Sequence, residues 1–370
     1  MNGMRSCVKA HRVKYMRVMT WPRLQRFCRG WLRGIRLAAL VFVGGLMLAA
    51  SPAIALDHSQ LAVIINTRDP LSVEIGEYYA AQRRILFQNI IRVGFTPGKA
   101  AMTVAEFNWL KTWVDEKTLP GVEAYVLTWA SPFRVDCMSI TSAFAFGFSP
   151  AYCAEGCKTT QVSRYFDSPA QLPFTQLGMR PTMSIAAASF GQAKALIDRG
   201  VASDGTMPKG TAYLLSTWDR GRNVRAATYP LVEKIAKGRL RIQNLHQESL
   251  KNAQDVLFYF IGRPAVDDLE TLHFLPGAIA DHLTSEGGWF LESSQMTAMR
   301  WLEAGATGSY GTVVEPCNIL QKFPNLPVLI NHYLRGETLI EAYWKSVQMP
   351  GQGIFIGEPL AAPFLRKRKP

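Results

Sequence analysis

Short apolar runs alternate with amphipathic stretches along residues 56–362, and this alternation predicts a single α/β domain. Apolar or β-branched runs predict strands at 61–66, 89–93, 122–129, 211–217, 241–245, 256–261, 274–280, 306–314 and 354–357. Apolar positions three and four residues apart predict helices at 71–85, 104–119, 190–200, 223–236 and 296–305, and two more within 326–347. This order predicts a mostly parallel sheet with helices on both faces.

The alternation is interrupted between residues 130 and 180. This stretch is rich in Ser, Gly, Pro and aromatic residues, and it carries three of the four cysteines that follow residue 55. A long stretch without periodicity inside a compact domain is usually functional or covalently tied to the rest. We therefore expect a cysteine-bearing loop excursion at 130–180.

A basic, partly apolar segment precedes the domain. Residues 1–55 hold ten Lys and Arg and no acidic residue, and they include fourteen uncharged residues at 37–50 and an A-x-A pattern that ends at Ala55. These features predict a signal peptide, cleavage near Ala55 and a periplasmic or extracellular product. An uncleaved anchor helix, which would then be the attachment to the membrane, is the alternative. Three methionines are candidate translation starts: Met1, Met16 and Met19.

The net charge of +13 comes from the two ends of the chain. Of the 41 Lys and Arg, ten lie in residues 1–55 and four in the basic tail at 363–370, which leaves 27 against 28 acidic residues. A domain with this balance has no positive excess to neutralise phosphates. The sequence therefore argues against a nucleic-acid partner.

Four cysteines follow the leader: Cys137, Cys153, Cys157 and Cys317. An even number in an exported protein predicts disulfide bonds, and the sequence leaves all three pairings open. Zinc ligands and free thiols are the alternatives, although the spacing is poor for zinc and no histidine lies nearby. Since the chain also lacks a nucleotide-binding glycine loop, we expect no metal and no cofactor.

Polar side chains follow several predicted strands. Ser131, Arg134 and Asp136 follow 122–129; Asp281, His282 and Ser285 follow 274–280; Glu315, Cys317 and Asn318 follow 306–314. Because the carboxyl ends of parallel strands meet at one edge of a sheet, we expect these nine residues to converge on one site. Arg263, after 256–261, is a further candidate for that edge and for anion binding.

The second and third groups contain the candidate chemistry. His282 is a candidate general base whose tautomer Asp281 would fix, with Cys317 or Ser285 as the nucleophile. Ser285 lacks a G-x-S-x-G motif, and Glu315 would either bind a cation or cap a turn. The alternative is structural: a helix-starting or surface histidine, an N-cap aspartate and a disulfide-bonded Cys317.

Several segments resemble an exported bacterial family that occurs in genomes with exosortase-type, PEP-CTERM protein sorting. They are LAVIINTRDPLSVEIGEYYAAQRRI, GAIADHLTSEGG, WLEAGATGSYGTVVEPCN, GETLIEAYWKSV and GQGIFIGEPLAAPF. The resemblance runs through essentially all of the chain after the leader. It implies a role in envelope or secretion biology.

A more distant resemblance is to gingipain-like cysteine peptidases, and it rests on VEAYVLTW, MSIAAASFGQAKALIDRGVASD and IFIGEP. It implies a caspase-like three-layer α/β sandwich. The catalytic positions differ, because Arg263 stands where that family has a histidine and GAIADHLTS supplies no thiol. We expect a non-catalytic or repurposed scaffold that binds an envelope protein or peptide; the alternative is a hydrolase with a non-standard site at the same edge.

Overall fold

The structure, a computed structural model, describes residues 55–154 and 156–366. Its strands are β1 Leu61–Asn66, β2 Ile90–Val93, β3 Ala101–Met102, β4 Ala124–Leu127, β5 Arg134–Val135, β6 Met138–Ser139, β7 Thr182–Ser184, β8 Thr211–Ser216, β9 Arg241–His246, β10 Val256–Ile261, β11 Phe274–His282, β12 Gly308–Thr312 and β13 Gly353–Gly357. Its helices are α1 Pro70–Arg83, α2 Val104–Lys117, α3 Ile140–Phe146, α4 Pro173–Leu177, α5 Phe190–Ser203, α6 Tyr229–Ala236, α7 Met299–Ala304, α8 Leu326–Leu334 and α9 Leu339–Ser346.

Ten of these strands form one central sheet in the order β2-β1-β4-β7-β13-β12-β11-β10-β8-β9. Every neighbouring pair in it is parallel except β12 and β13, which pair antiparallel from Gly308 opposite Gly357 to Thr312 opposite Gly353. The predicted α/β fold with a mostly parallel sheet is thus confirmed.

The antiparallel pair divides the sheet into two sets of strands with opposite directions. β1, β2, β4, β7 and β13 run one way, and β8 to β12 run the other way. Their carboxyl ends therefore lie at opposite edges of the sheet. The edge formed by the carboxyl ends of β8 to β12 is called the β8–β12 edge below.

Helices cover both faces of the sheet. The Tyr125 ring in β4 lies 6.3 Å from that of Phe144 in α3, whereas Thr128, three residues later, lies 2.7 Å from Ser72 in α1, measured between hydroxyl oxygens. Residues an odd number apart on an extended chain point to opposite faces. α5 packs beside α1, and α2 and α9 beside α3, so the layers are helix, sheet and helix.

Capping side chains set several helix starts. Asp69 accepts from the amide of Leu71 at the start of α1, and Thr103 and Glu106 form a capping box on α2. The predicted helix at 223–236 is split, because residues Asn223–Thr228 form a 3₁₀ segment before α6. β7 lies inside the sheet although no strand was predicted there.

The excursion at 130–180 has structure of its own. β5 lies between β3 and β6 in a three-stranded sheet, and α3 packs on β7 and β13. The disulfides are Cys137–Cys153 and Cys157–Cys317, so the second bond ties the excursion to the segment after β12. Among the described residues, no helix is both long and apolar enough to span a membrane.

Candidate functional site

The β8–β12 edge carries part of the predicted site. His282 ends β11, and Glu315, Cys317 and Asn318 follow β12, so these two groups share an edge as expected. The group that follows β4 begins at the opposite edge, because the reversal at β13 puts that strand in the set with the opposite direction. The chain after β4 returns, however, since the Phe133 ring lies 6.5 Å from that of Trp289 and 5.8 Å from that of Phe290.

The residues that follow β4 form a turn next to Trp289 and Phe290. Arg134 donates from Nη1 to the carbonyl of Asp136 at 2.7 Å, and Asp136 adopts a left-handed backbone with φ of 48°. Ser131 precedes Pro132. Neither Ser131, Arg134 nor Asp136 has a hydrogen bond or ion pair to the second and third groups among the described residues.

Asp281 forms a buried ion pair with Arg225. Oδ1 of Asp281 lies 2.5 Å from Nη2 of Arg225, and the two side chains are 1% and 3% exposed. Arg225 comes from the 3₁₀ segment before α6, so the pair connects this segment to the end of β11. Burial raises the pKa of Asp281, and the Arg225 charge acts in the opposite direction.

Within the described ranges, three buried atoms of this pair have no hydrogen-bond partner: Oδ2 of Asp281, and Nε and Nη1 of Arg225. Arg225 also lines a cavity of about 210 Å³ with Phe166, Gln321 and Ser346. Removing one member of such a buried pair is costly, since the remaining charge is shielded from water and has no partner. The predicted role for Asp281, orienting His282, is not what the structure shows, because the carboxylate faces Arg225.

His282 points to the other face of the sheet and is held from both sides. Its Nε2 lies 2.9 Å from the Met296 carbonyl, and Nδ1 accepts from the indole N–H of Trp301 at 2.9 Å. These partners fix a neutral imidazole with the proton on Nε2. Burial lowers the pKa of His282 to about 4, although the Met296 carbonyl favours the charged form. Neither nitrogen is free to accept a proton from a nucleophile.

Cys317 is not a nucleophile in this structure, because it is bonded to Cys157. Its backbone is left-handed, with φ of 53°, and its amide donates to Oε1 of Glu315 at 2.7 Å. Of the two roles predicted for Glu315, the turn cap is therefore the one formed. Burial lowers the pKa of nearby Lys322 to about 8, and the Glu315 carboxylate acts against this shift.

The two glycines after Ser285 allow a close backbone contact. A Cβ on Gly311 of β12 would lie 2.3 Å from the carbonyl carbon of Gly287, and one on Gly288 would lie 2.9 Å from the Thr312 carbonyl oxygen. The Thr312 hydroxyl donates to the Ser285 carbonyl at 2.9 Å. Ser285 is partly exposed, and no histidine ring bonds to its hydroxyl within residues 55–154 and 156–366.

A polar network at this edge was not predicted. Arg222, after β8, donates from Nε to the Thr284 hydroxyl at 3.1 Å and from Nη1 to Asp219 at 2.9 Å. Thr284 in turn donates to Gln295 at 2.5 Å, and a Cβ added to Gly221 would lie 3.9 Å from Nδ2 of Asn318. The network brings the ends of β8, β11 and β12 together. A sequence signal existed, since polar residues directly follow the strand predicted at 211–217.

Arg263 is paired with acidic residues. Its Nη1 donates to the Glu248 carbonyl at 2.7 Å and lies 3.5 Å from Asp267, while Nε lies 3.6 Å from the Glu248 carboxylate. The Arg263 guanidinium is therefore paired with protein oxygens at the positions where an anion would bind. In the described ranges, no group of three or more His, Cys, Asp or Glu side chains is placed to hold a metal ion.

Comparisons with known proteins add a likeness of the backbone. A solved structure described as a protease is 10% identical, with 84% of this chain and 79% of that chain covered and a TM-score of 0.49. A complex of the Porphyromonas gingivalis RgpB pro- and mature domains is 11% identical, with coverages of 83% and 80% and a TM-score of 0.45. No family model matches the chain, and neither does any curated protein.

At these identities no site residue is carried over from either structure. The resemblance to the exported bacterial family likewise stays a prediction.

Proposed function

We propose that this chain is an exported, non-catalytic binding protein that engages an envelope protein or peptide at the β8–β12 edge. One observation supports this above the others: the side chains that would perform hydrolysis are bonded elsewhere. Cys317 is in a disulfide, both nitrogens of His282 are hydrogen-bonded, and Asp281 pairs with Arg225. Covalent catalysis needs a nucleophile next to a free base.

The exposed groups at the same edge suit a polypeptide partner. Trp218, directly after β8, is 74% exposed, and its ring lies 4.2 Å from that of His246 at the end of β9. Arg222 and Asn318 lie on the same edge and are partly or fully exposed. Tryptophan and arginine carry much of the binding energy in protein interfaces. The Arg222–Thr284 hydrogen bond holds the arginine in place before a partner arrives.

Export is supported by the cysteines. All four cysteines in the described residues form disulfides, which persist in oxidising compartments and are rare in the cytosol. Residues 1–54 of the basic, apolar leader predicted at 1–55 lie outside the described residues.

A photo-crosslinking experiment tests the binding surface. p-Benzoylphenylalanine is placed at Trp218 in producing cells, and a matched variant carries it at Trp109, which is 67% exposed on α2 beside the distant strand β2. We expect a discrete adduct from position 218 and none from position 109. No adduct, or equal adducts from both positions, contradicts the proposal.

Activity is tested separately on the purified protein with its disulfides intact. We expect no turnover of peptide or ester substrates and no labelling by serine- or thiol-directed probes. Turnover that disappears in Ser285→Ala would replace the binding protein by the hydrolase alternative.

A further inference from the structure

The amide of Leu56 donates to a carboxylate deep in the protein. Leu56 is 4% exposed and belongs to the main hydrophobic core, and its backbone nitrogen lies 3.1 Å from Oε2 of Glu341 in α9. Glu341 is itself 1% exposed. The residues that follow, 57–59, are exposed. Leu56 is thus the first buried residue of the described chain, and its backbone nitrogen donates to a buried carboxylate.

The hydrogen bonds to Glu341 come from neutral groups in the uncleaved chain. Besides Leu56, the amide and hydroxyl of Thr338 donate to Oε2 at 3.0 and 2.6 Å. The neighbouring Glu337, in contrast, has Lys345 at 2.9 Å and a ring nitrogen of His332 at 2.8 Å. A buried carboxylate is costly unless a positive charge pairs with it. Burial and the Glu337 charge raise the pKa of Glu341, while the Lys345 charge and the Thr338 hydrogen bonds act in the opposite direction.

We propose that the peptide bond between Ala55 and Leu56 is the processing site, and that the new α-ammonium of Leu56 forms a buried ion pair with Glu341. Hydrolysis of this bond adds one water: the leader keeps the carboxylate of Ala55, and Leu56 gains an amine that is protonated near neutral pH. The A-x-A pattern ending at Ala55 fits this cleavage. The inference rests on the export part of the proposed function and is independent of the binding surface.

The burial of Leu56 also sets an order of events. A peptidase needs an extended, accessible chain around the bond that it cuts, and Leu56 in the folded protein is packed in the core. Cleavage therefore precedes the docking of Leu56. Processing then completes the fold, because the neutral donor at Leu56 becomes a cation beside Glu341, whose hydrogen bonds within the described residues all come from neutral groups.

The test compares two otherwise identical chains that run to Pro370, one beginning at Leu56 and one beginning at Ala55. Urea unfolding at pH 7 should give a folding equilibrium constant about tenfold or more larger for the chain that begins at Leu56, since hydrogen bonds to charged groups exceed neutral ones by this order. The extra residue moves the ammonium away from Glu341. Equal constants for the two chains would overturn the ion pair.

Glu341→Gln should remove the difference between the two chains. Glu106→Gln is the matched control, because Glu106 closes the same kind of capping box on α2 at an exposed position. It should lower the stability of both chains equally. A Glu341→Gln chain that retains the difference contradicts the proposed partner.

Two further measurements apply even if Glu341→Gln fails to fold. In the native chain that begins at Leu56, the terminal amine should resist an acylating reagent that modifies it readily in urea. N-terminal sequencing of the protein recovered from the producing cell should begin at Leu56. A reactive native amine, or a different first residue, overturns the inference.

Discussion

The neutral His282 makes the stability of the protein sensitive to acid. In the unfolded chain this residue takes up a proton near pH 6.5, whereas in the folded protein its pKa is lowered to about 4. The folded state therefore has its full stability above pH 6.5 and loses it as the pH falls toward 4. The cause is local, since protonation of Nδ1 would remove the acceptor for the Trp301 indole.

We expect this residue to account for about 2 kcal/mol of the free energy of unfolding lost between pH 8 and pH 5. His282→Gln is the comparison, because a glutamine amide can accept from Trp301 and donate to Met296 without titrating. Urea unfolding of both proteins at the two pH values gives the difference. A parallel loss in parent and variant would show that His282 does not cause it.

The Arg225–Asp281 pair should be far more costly to break than to replace. Arg225→Met leaves a buried carboxylate without its partner, and we expect a loss of about 3–5 kcal/mol. Arg225→Met combined with Asp281→Leu should recover most of that loss, because no buried charge then remains. Denaturant unfolding of the single and double variants measures both steps. A double variant no more stable than the single one would mean that packing, not charge, dominates.

At the scale of elements, the close contact between β12 and the turn at 287–288 depends on glycine. Gly311→Ala places a methyl carbon 2.3 Å from the Gly287 carbonyl carbon. We expect this overlap to lower the free energy of unfolding by about 1–3 kcal/mol. Gly191→Ala in α5 is the matched control, since its new Cβ meets a single atom at 4.0 Å. Thermal unfolding compares the two. A Gly311→Ala protein as stable as the control would show that the turn moves freely.

Local patterns predict the elements well, because they depend on neighbouring residues. The apolar run at 274–280 is β11, and 354–357 lies in β13. The direction of β13 in the sheet is not a property of neighbouring residues. β13 pairs parallel with β7 and antiparallel with β12, and the second pairing reverses half of the sheet. The rule that selected Ser131, Arg134 and Asp136 therefore does not apply to them, because β4 ends at the opposite edge.

The sequence predicts the position of the candidate site better than it predicts the roles of the residues there. The ends of β11 and β12 meet as expected, and the rule that selected them also applies to Asp219 and Arg222 after β8. The partners of His282 and Asp281 lie on α7, the loop before it and the 3₁₀ segment, all remote along the chain. A single sequence does not encode such contacts in any short pattern, so catalytic roles were assigned to residues that the packing engages elsewhere.

For the whole molecule, the two disulfides should differ in their contribution to stability. Cys157–Cys317 closes a loop of 160 residues and Cys137–Cys153 one of 16. In the chain-entropy model these bonds contribute about 5 and about 3 kcal/mol. Replacing each pair by alanines should therefore cost about 2 kcal/mol more for the longer loop, as measured by denaturant unfolding. An equal cost for the two pairs would contradict the entropic account.

The spacing of these cysteines has a consequence for a chain that emerges from its N-terminus. In the exported protein that we propose, Cys137, Cys153 and Cys157 enter the oxidising compartment together, well before Cys317, which lies 160 residues after its partner. Because three thiols lie close together in the sequence, Cys157 can form a disulfide with Cys137 or Cys153 before Cys317 is available. The native pairing then requires either that the Cys137–Cys153 bond forms quickly or that a thiol-exchange catalyst reduces the non-native bond. A strain without such a catalyst would accumulate protein with non-native disulfides.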